Sequence, residues 1–305
     1  MATALKGSSK AAPIDFNEEI AELRTLLRAL GEEAIMMRNG GKLAEKENEY
    51  SGDIVTEADK LIDADLVKRI AARHPTHHVR GEQGNASGPL ESPYRWIVTP
   101  IDGTRNFSKG LAYFAIAIAF LENETPLMSV LYFPELSRFV HAVKGHGVYD
   151  NNKPLTIFER PETHAMTHAL IAGSTTRRKT GRAEVLGTLR MASLNIVNTG
   201  STAYNAMLLA ERRIDAVVNA DAAMFNVIAL IPILNEAGCI ITGFEENKLD
   251  LKVDSILKKD PALFADDALD SGVDKDRTPF IAATNAELIA DIRKKILPAW
   301  ENAEK

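Results

Sequence analysis

Residues 96–107 of this 305-residue chain have the sequence Trp-Ile-Val-Thr-Pro-Ile-Asp-Gly-Thr-Arg-Asn-Phe. The apolar start predicts a strand ending near Pro100, and Gly103-Thr104 predicts a turn that begins a helix. Backbone N–H groups exposed at such a turn bind anions, and the Asp102 carboxylate beside them is suited to a divalent cation. The same residues also fit a plain strand-to-helix turn in which Asp102 is only an N-cap. The stretch alone leaves both interpretations open.

The first half of the chain predicts two helices followed by a mostly antiparallel sheet. Asp15 with Glu18 has the capping-box pattern at the start of the first helix, and Gly40-Gly41 ends it. Thr56 begins the second helix, which stops before Pro75. Apolar runs downstream predict strands, the last two forming a hairpin around Pro134: 96–98, 113–121, 127–133 and 138–143.

After residue 155, predicted strands alternate with predicted helices, which is typical of a layered α/β lobe. The strands are predicted at 169–172, 195–197, 215–219, 240–242 and 280–283, and the helices at 182–191, 202–213, 226–237 and 287–296. We therefore expect a disordered lead-in at 1–13, an α+β lobe at 14–155 and an α/β lobe at 156–305. The charged stretch 245–277 interrupts the alternation and is interpreted as a surface insertion.

Composition excludes several classes of function. The chain has 42 acidic and 36 basic residues and a formal charge of −6, which argues against a nucleic-acid binder. The longest apolar run, Leu111 to Leu121, is too short for a membrane span, which needs about 20 residues. Cys239 is the single cysteine, and residues 1–12 lack an apolar core of signal-peptide length. We therefore expect a cytoplasmic protein without a nucleic-acid or membrane partner.

Residues 100–104 with Asn106 and Phe107 resemble the main motif of the inositol monophosphatase family. These are Mg²⁺-dependent, lithium-sensitive phosphatases in a superfamily that includes fructose-1,6-bisphosphatase. Further segments resemble family motifs in the family's order: 53–59, 81–82, 200–203 and 225–238. The resemblance covers about residues 16–243 and resumes at 280–296. It implies a layered αβαβα sandwich with the active site between the lobes, and commonly a homodimer.

The resemblance also implies roles for the matching residues. Glu82 and the carbonyl of Ile101 would bind a first Mg²⁺ and activate water, and Asp102 would bind a second Mg²⁺. Asp59 and Thr104 would position that water, with Asp59 among the carboxylates around the metals. The backbone amides of the turn would hold the phosphate, and other residues would lie near the substrate alcohol: Gly103 and Thr104 for the phosphate, Gly200, Ser201, Thr202 and Asn219 for the alcohol.

Two departures from the family pattern weaken this site. Thr99 stands where the family has an Asp that bridges both metals, and Asn226 stands where it has another metal-binding Asp. The carboxylates fall from five to three, and Mg²⁺ depends on anionic oxygens. We therefore expect weak or partial Mg²⁺ occupancy. Smaller departures are Gln83 in place of a second Glu, Asn219 in place of an acid that binds a sugar hydroxyl, and Pro232 inside a predicted helix.

Three functions remain open at this stage. The first is a phosphomonoesterase acting on a small sugar or polyol phosphate. The second is an inactive family member that binds a phosphorylated metabolite or a partner. The third is an enzyme that uses the same cleft for a different reaction. Retention of Asp59, Glu82, Asp102 and Thr104 favours the first, whereas Thr99 and Asn226 favour the other two.

Other polar and reactive residues are assigned no chemistry. His77-His78 and the pair His141 and His146 are interpreted as solvated loop or surface residues, and Cys239 as buried filler. The basic run 174–179 is a weaker candidate for contact with a second phosphate.

Overall fold

The computed structural model describes residues 14–41, 45–47, 54–174, 182–193, 195–244 and 278–303. Asp53, residues 175–179 of the basic run, the predicted lead-in 1–13 and the predicted insertion 245–277 lie outside these ranges. Among the described helices, none has the length and apolar character that a membrane crossing requires.

Two capped helices open the described fold. The Asp15 carboxylate accepts the N–H groups of Asn17 and Glu18 at the start of α1 (Phe16–Asn39). Thr56 caps α2 (Glu57–Arg73) in a complete capping box with Asp59. Both predicted helix starts are confirmed.

An eight-stranded sheet follows, with strand order β10-β9-β8-β7-β6-β5-β3-β4. Every neighbouring pair in it is antiparallel except β3 and β5, so the predicted mostly antiparallel sheet is confirmed. A separate short hairpin, β1 and β2, precedes it. The strands of the first half are β1 (Glu45–Glu47), β2 (Ile54–Thr56), β3 (His78–Gly81), β4 (Ala86–Ser87), β5 (Tyr94–Asp102), β6 (Ala115–Glu122), β7 (Thr125–Phe133), β8 (Arg138–Val143), β9 (Val148–Asp150) and β10 (Lys153–Pro154).

The second half forms a five-stranded sheet with the order β12-β11-β13-β15-β14, in which β15 runs antiparallel to both neighbours. Its strands are β11 (Ile171–Ser174), β12 (Ile196–Val197), β13 (Ala216–Asn219), β14 (Ile240–Thr242) and β15 (Phe280–Ala283). The helices that follow α2 are α3 (Thr104–Ser108), α4 (Arg182–Ala192), α5 (Thr202–Ala210), α6 (Met224–Glu236) and α7 (Ala286–Ala303).

Three apolar clusters show how these elements are layered. Alternate residues of β5 face opposite sides of the large sheet: Trp96 and Val98 pack with α1 and α2, whereas Ile97 packs with α5 and α6. The same α5–α6 layer also covers one face of the second sheet, whose other face packs against α4 and α7. The order helix, sheet, helix, sheet, helix confirms the expected αβαβα sandwich. The division at residue 155 stays a prediction.

Local differences from the sequence-based prediction have identifiable causes. The helix predicted over 202–213 ends at Ala210, because Arg212 adopts a positive φ of 56°. α6 begins two residues before Asn226 and continues through Pro232, which has no N–H for the helical bond. His77 and His78 are only 3% and 2% exposed, so their interpretation as solvated residues was wrong. His141 is also buried and stacks on Tyr149, whereas Cys239 is buried as expected.

Candidate functional site

The carboxyl ends of β3 and β5 place the acidic motifs side by side. These strands are parallel neighbours, with Gly81 opposite Val98, and the N–H of Glu82 donates to the carbonyl of Val98 over 3.0 Å. Glu82 therefore begins its turn beside Thr99 on β5. The resemblance groups positions 82 and 99–102 together, and in the structure they lie at the carboxyl ends of these two neighbouring strands.

Asp59 and Thr104 form the second part of the site. The Thr104 hydroxyl lies 3.3 Å from Oδ1 of Asp59 and 3.1 Å from the carbonyl of Ile101, and it can donate to one of them at a time. Oδ2 of Asp59 accepts the N–H and the hydroxyl of Thr56 at 2.8 and 2.6 Å. Burial raises the pKa of Asp59 to about 6, although these hydrogen bonds lower it. The structure thus brings together the two residues predicted to position water.

Asp102 is buried at the end of β5 and points at the start of α5. Its Oδ1 accepts the hydroxyl of Ser201 and, over 3.1 Å, the N–H of Ala203. Its Oδ2 accepts the N–H of Thr202 over 3.2 Å. Burial raises the pKa of Asp102 against the lowering effect of these bonds. The predicted metal and substrate residues are in contact, but through hydrogen bonds that occupy the carboxylate.

The two substituted ligand positions carry neutral, unpartnered oxygens. Thr99 is 1% exposed, and among the described residues neither its Oγ1 nor the buried Oδ1 of Asn226 has a hydrogen-bond partner. In the same ranges no three His, Cys, Asp or Glu side chains form a group that could hold a metal ion. Because Mg²⁺ prefers anionic oxygens, this donor set does not fit the second cation. Glu82 and the carbonyl of Ile101 remain the groups that could hold a first cation.

The turn predicted to hold the phosphate, Gly103-Thr104 (the phosphate turn), packs closely against neighbouring segments of the chain. Gly103 has a φ of 85° and precedes α3, and a Cβ at this position would lie 2.8 Å from the carbonyl oxygen of Tyr113. Gly200 has a φ of 76°, and a Cβ there would meet the Asn106 side chain at 2.8 Å. Both positions therefore need glycine for conformation and for space.

Asn219 lies close to the predicted substrate residues. It is 4% exposed, and its Nδ2 lies 3.4 Å from the hydroxyl of Thr202. Its Oδ1 accepts the N–H of Asp221 over 2.9 Å. The Asn219 side chain is thus held by the backbone N–H of Asp221 on one side and faces Thr202 on the other.

Sequence reasoning missed two residues that support the site. Asn106 donates from Nδ2 to the carbonyls of Tyr113 and Thr199, over 2.6 and 2.8 Å, which ties the phosphate turn to the loop before α5. Asp63 is fully buried and accepts the N–H of Gln83 over 3.1 Å, which fixes the turn that carries Glu82. The sequence feature that could have indicated Asp63 is its spacing of four residues from Asp59 on one helix, which places both residues on the same face.

Known proteins with similar sequences or structures share this fold. An inositol-1-monophosphatase from Bacillus subtilis is 30% identical over 214 residues, covering 69% of this chain and 80% of the relative. The solved structure of an IMPase from Thermotoga maritima superposes with a TM-score of 0.71 at 23% identity, over 94% of this chain and 99% of that one. An IMPase/NADP phosphatase solved with Mg²⁺ and phosphate superposes with a TM-score of 0.71 at 19% identity, over 91% and 93% of the two chains. At these identities the two structures show the fold alone.

The sequence model of one family spans most of the chain. It is described as the inositol monophosphatase family, and it matches residues 17–271. Together with the αβαβα sandwich and the motifs gathered at the ends of β3 and β5, this match shows that the chain belongs to the inositol monophosphatase family.

Proposed function

We propose that this chain is a phosphomonoesterase that hydrolyses a small sugar or polyol phosphate with a weakened cation site. The observation that carries the proposal is the contact between Thr104 and Asp59 next to the carbonyl of Ile101. When the Thr104 hydroxyl donates to the Asp59 carboxylate, its oxygen can accept a hydrogen bond from a water molecule. The proton that the attacking water loses can then pass to Thr104 as the Thr104 proton passes to Asp59. The resemblance to the inositol monophosphatase family implies the same role for this pair.

The chain's own residues divide the work of hydrolysis. Asp59 and Thr104 hold the attacking water, and the amides at Gly103 and Thr104 hold the phosphate. Ser201, Thr202 and Asn219 lie on the side of the leaving alcohol, where a neutral Asn219 accepts a wider set of polyols than an acid would. Holding water and phosphate in line removes much of the entropic barrier.

Mg²⁺ is the proposed cofactor, bound by Glu82 and the carbonyl of Ile101. When bound there, it supplies the acidity that makes water a nucleophile near neutral pH. The support is that a solved structure of this fold carries Mg²⁺ and phosphate. Since Thr99 and Asn226 offer neutral oxygens only, occupancy is weak or partial, and the reaction is slow.

A second candidate function is binding of a phosphorylated metabolite without hydrolysis. The neutral, unpartnered oxygens of Thr99 and Asn226 favour it, because less negative charge opposes a phosphate in the cleft. Either function predicts a small phosphorylated ligand.

One titration separates the two functions. Mg²⁺ is added to the protein with a panel of phosphate monoesters, and released phosphate is measured for wild type and for Asp59→Asn. Hydrolysis that rises with Mg²⁺ and is lost in Asp59→Asn supports the enzyme. Binding of inorganic phosphate that survives a chelator, with no release from any ester, supports the binding protein. If the protein does not bind inorganic phosphate and releases none from any ester, both proposed functions are contradicted.

The assembly and location are also proposals. We infer a cytoplasmic homodimer without a nucleic-acid or membrane partner, from the family resemblance and from the acidic balance of the chain. Light scattering coupled to size-exclusion chromatography tests the dimer directly.

A further inference from the structure

The start of α5 has a complete set of hydrogen-bond partners. A helix leaves its first four N–H groups without helical partners, and a carboxylate near that end is favoured by the helix dipole. Here the N–H groups of Thr202 and Ala203 donate to Asp102, and that of Tyr204 donates to the Ser201 hydroxyl over 3.1 Å. The next N–H, of Asn205, donates to the carbonyl of Ser201. Asp102, 99 residues away from Ser201, therefore takes part in capping the helix.

The same contacts use both oxygens of the carboxylate. Oδ1 accepts two donors and Oδ2 accepts one, and the donors come from the positive end of a helix. A cation at this carboxylate would face that positive end, and these three donors leave it only one of the carboxylate's four lone pairs, on Oδ2. The neutral side chains at Thr99 and Asn226 add no charge that would offset this cost.

Asp102 is also one of several residues whose hydrogen bonds connect the end of β5 and the start of α3 to the loop 199–203. Asn106, four residues later, donates to the carbonyl of Thr199 over 2.8 Å, and Thr199 donates to Oδ1 of Asn205 over 2.6 Å. Thus Asp102 at the end of β5 and Asn106 in α3 hold the two ends of the loop that carries Ser201 and Thr202.

We propose that Asp102 is a positioning residue in this chain: it caps α5 from β5, holds the loop 199–203 in place without a metal ion, and is not a cation ligand. The second cation position is therefore replaced by a hydrogen-bonded joint between the two halves of the sandwich. This role rests on the contacts just described and not on the proposed hydrolysis.

Single-residue amide hydrogen exchange in chelator tests the cap, with Asp102→Ala and Asp102→Asn as the variants. We expect Asp102→Ala to remove protection from both Thr202 and Ala203, with a fall in Tm of about 5 °C or more. Asn has one acceptor oxygen, so Asp102→Asn should keep protection at one of these amides and lose it at the other. This partial rescue is a result that a general loss of packing would not produce.

Glu236→Ala is the matched control for stability. The Glu236 carboxylate accepts the N–H groups of Gly145 and Gly147, both at 2.8 Å, ten residues along α6 from Asn226. This variant should also lower the Tm but leave the protection of Thr202 and Ala203 unchanged. If Asp102→Ala leaves those two amides protected, the proposal is overturned.

Mg²⁺ affinity, measured by isothermal titration, tests the second half of the proposal. Asp102→Asn should bind Mg²⁺ within about threefold of wild type, whereas Glu82→Gln should lose about tenfold or more. A loss of tenfold or more in Asp102→Asn overturns the proposal. If wild type binds no Mg²⁺, the proposed hydrolysis fails while Asp102 is shown not to be a ligand, and the exchange experiment decides the cap.

Discussion

The hydroxyl of Thr104 lies 3.3 Å from Oδ1 of Asp59, and the other oxygen of that carboxylate is held by the N–H and hydroxyl of Thr56. One aspartate thus caps α2 and reaches the phosphate turn. The buried Asp59 side chain therefore has both a structural role, in capping α2, and a proposed chemical role, at Thr104. Because burial raises its pKa to about 6, both roles depend on pH.

Hydrolysis should increase as pH rises through about 6, because the ionised Asp59 accepts the Thr104 proton more strongly than the protonated form does. The measurement is kcat/KM against pH at saturating Mg²⁺. Thr104→Val, which removes the hydroxyl and keeps the shape, should lower the rate at every pH. A profile that is flat between pH 5 and 7.5 would contradict the assignment.

As pH rises, the contribution of Asp59 to the free energy of unfolding should fall, whereas the rate of hydrolysis should increase. A carboxyl whose pKa is raised from 3.8 to about 6 binds its proton more tightly in the folded chain, so its contribution favours folding at low pH and is lost as pH rises through about 6. Relative to Asp59→Asn, wild type should lose up to about 3 kcal/mol of unfolding free energy between pH 4 and 7. Urea unfolding in chelator measures this difference. A constant difference across the range would refute the raised pKa.

Acid should destabilise the fold through His77. Its pKa is lowered to about 4 by burial, and its Nδ1 accepts the indole N–H of Trp96 over 3.1 Å, so it is held neutral. A lowered pKa means that the stabilising contribution is present above about pH 6.5 and is lost as pH falls through about 4. His77→Gln keeps an acceptor for Trp96 but does not titrate.

Between pH 6.5 and 4, wild type should lose up to about 3 kcal/mol more than His77→Gln. The exposed His146 provides the control, since His146→Gln should follow wild type. Equal acid sensitivity of all three proteins would show that His77 does not carry the effect.

Restoring the acids should strengthen the cation site. Thr99→Asp should raise Mg²⁺ affinity by at least about tenfold, because a charge contact of a few ångströms is worth more than 1.4 kcal/mol at an effective dielectric of about 20. Asn226→Asp alone should do less, and the double variant should be non-additive, as expected for ligands of one cluster. In chelator, Thr99→Asp should be less stable than wild type, since it buries an unpaired charge.

Mg²⁺ titration and phosphate release on all four proteins are the measurements. Thr99→Val is the control for shape, and because the Thr99 hydroxyl has no partner among the described residues, this variant should cost little stability. If wild type already matches the double variant in affinity and rate, the weakened site is disproved.

The phosphate turn should not tolerate a side chain at Gly103. Gly103→Ala combines a positive φ with a Cβ 2.8 Å from the carbonyl oxygen of Tyr113, and should cost about 1–3 kcal/mol beyond the conformational penalty. Gly110 has a φ of 74° with open space around it, so Gly110→Ala isolates that penalty, about 1–2 kcal/mol. Equal losses in thermal unfolding would mean that the close approach at Gly103 is unimportant.

Sequence patterns correctly predicted those helices and strands that are determined by residues close together in the sequence. The apolar runs at 240–242 and 280–283 coincide with β14 and β15, and the caps Asp15 and Thr56 begin helices as expected. The start of α6 was misplaced because Ala223, its N-cap, offers no side-chain acceptor. His77 and His78 were misjudged because two polar residues shortly after Pro75 look exposed, whereas His77 accepts a hydrogen bond from Trp96 and His78 lies in β3 between two other strands.

The sequence grouped residues whose elements lie close together in the fold, but it did not indicate the hydrogen bonds among them. Motif resemblance grouped Asp59, Glu82 and Asp102, and the fold brings their elements together. The partners of Asp102 lie about a hundred residues away, so that no local pattern indicates a carboxylate shared between a strand end and a distant helix. Long-range contacts of this kind depend on the packing of complete layers.

The parallel pairing of β3 and β5 has a consequence for variation in chain length. The ladder between these strands ends at Gly81 opposite Val98, so it fixes where Glu82 leaves one strand and where the other continues to Ile101. Within the crossing segment 83–93, the short edge strand β4 pairs with β3. Because Asp63 holds Gln83 and β4 pairs with β3, the exposed residues 89–91 are the part of this segment where residues can be gained or lost without moving the two candidate cation donors. A change in chain length there leaves the candidate site unaltered.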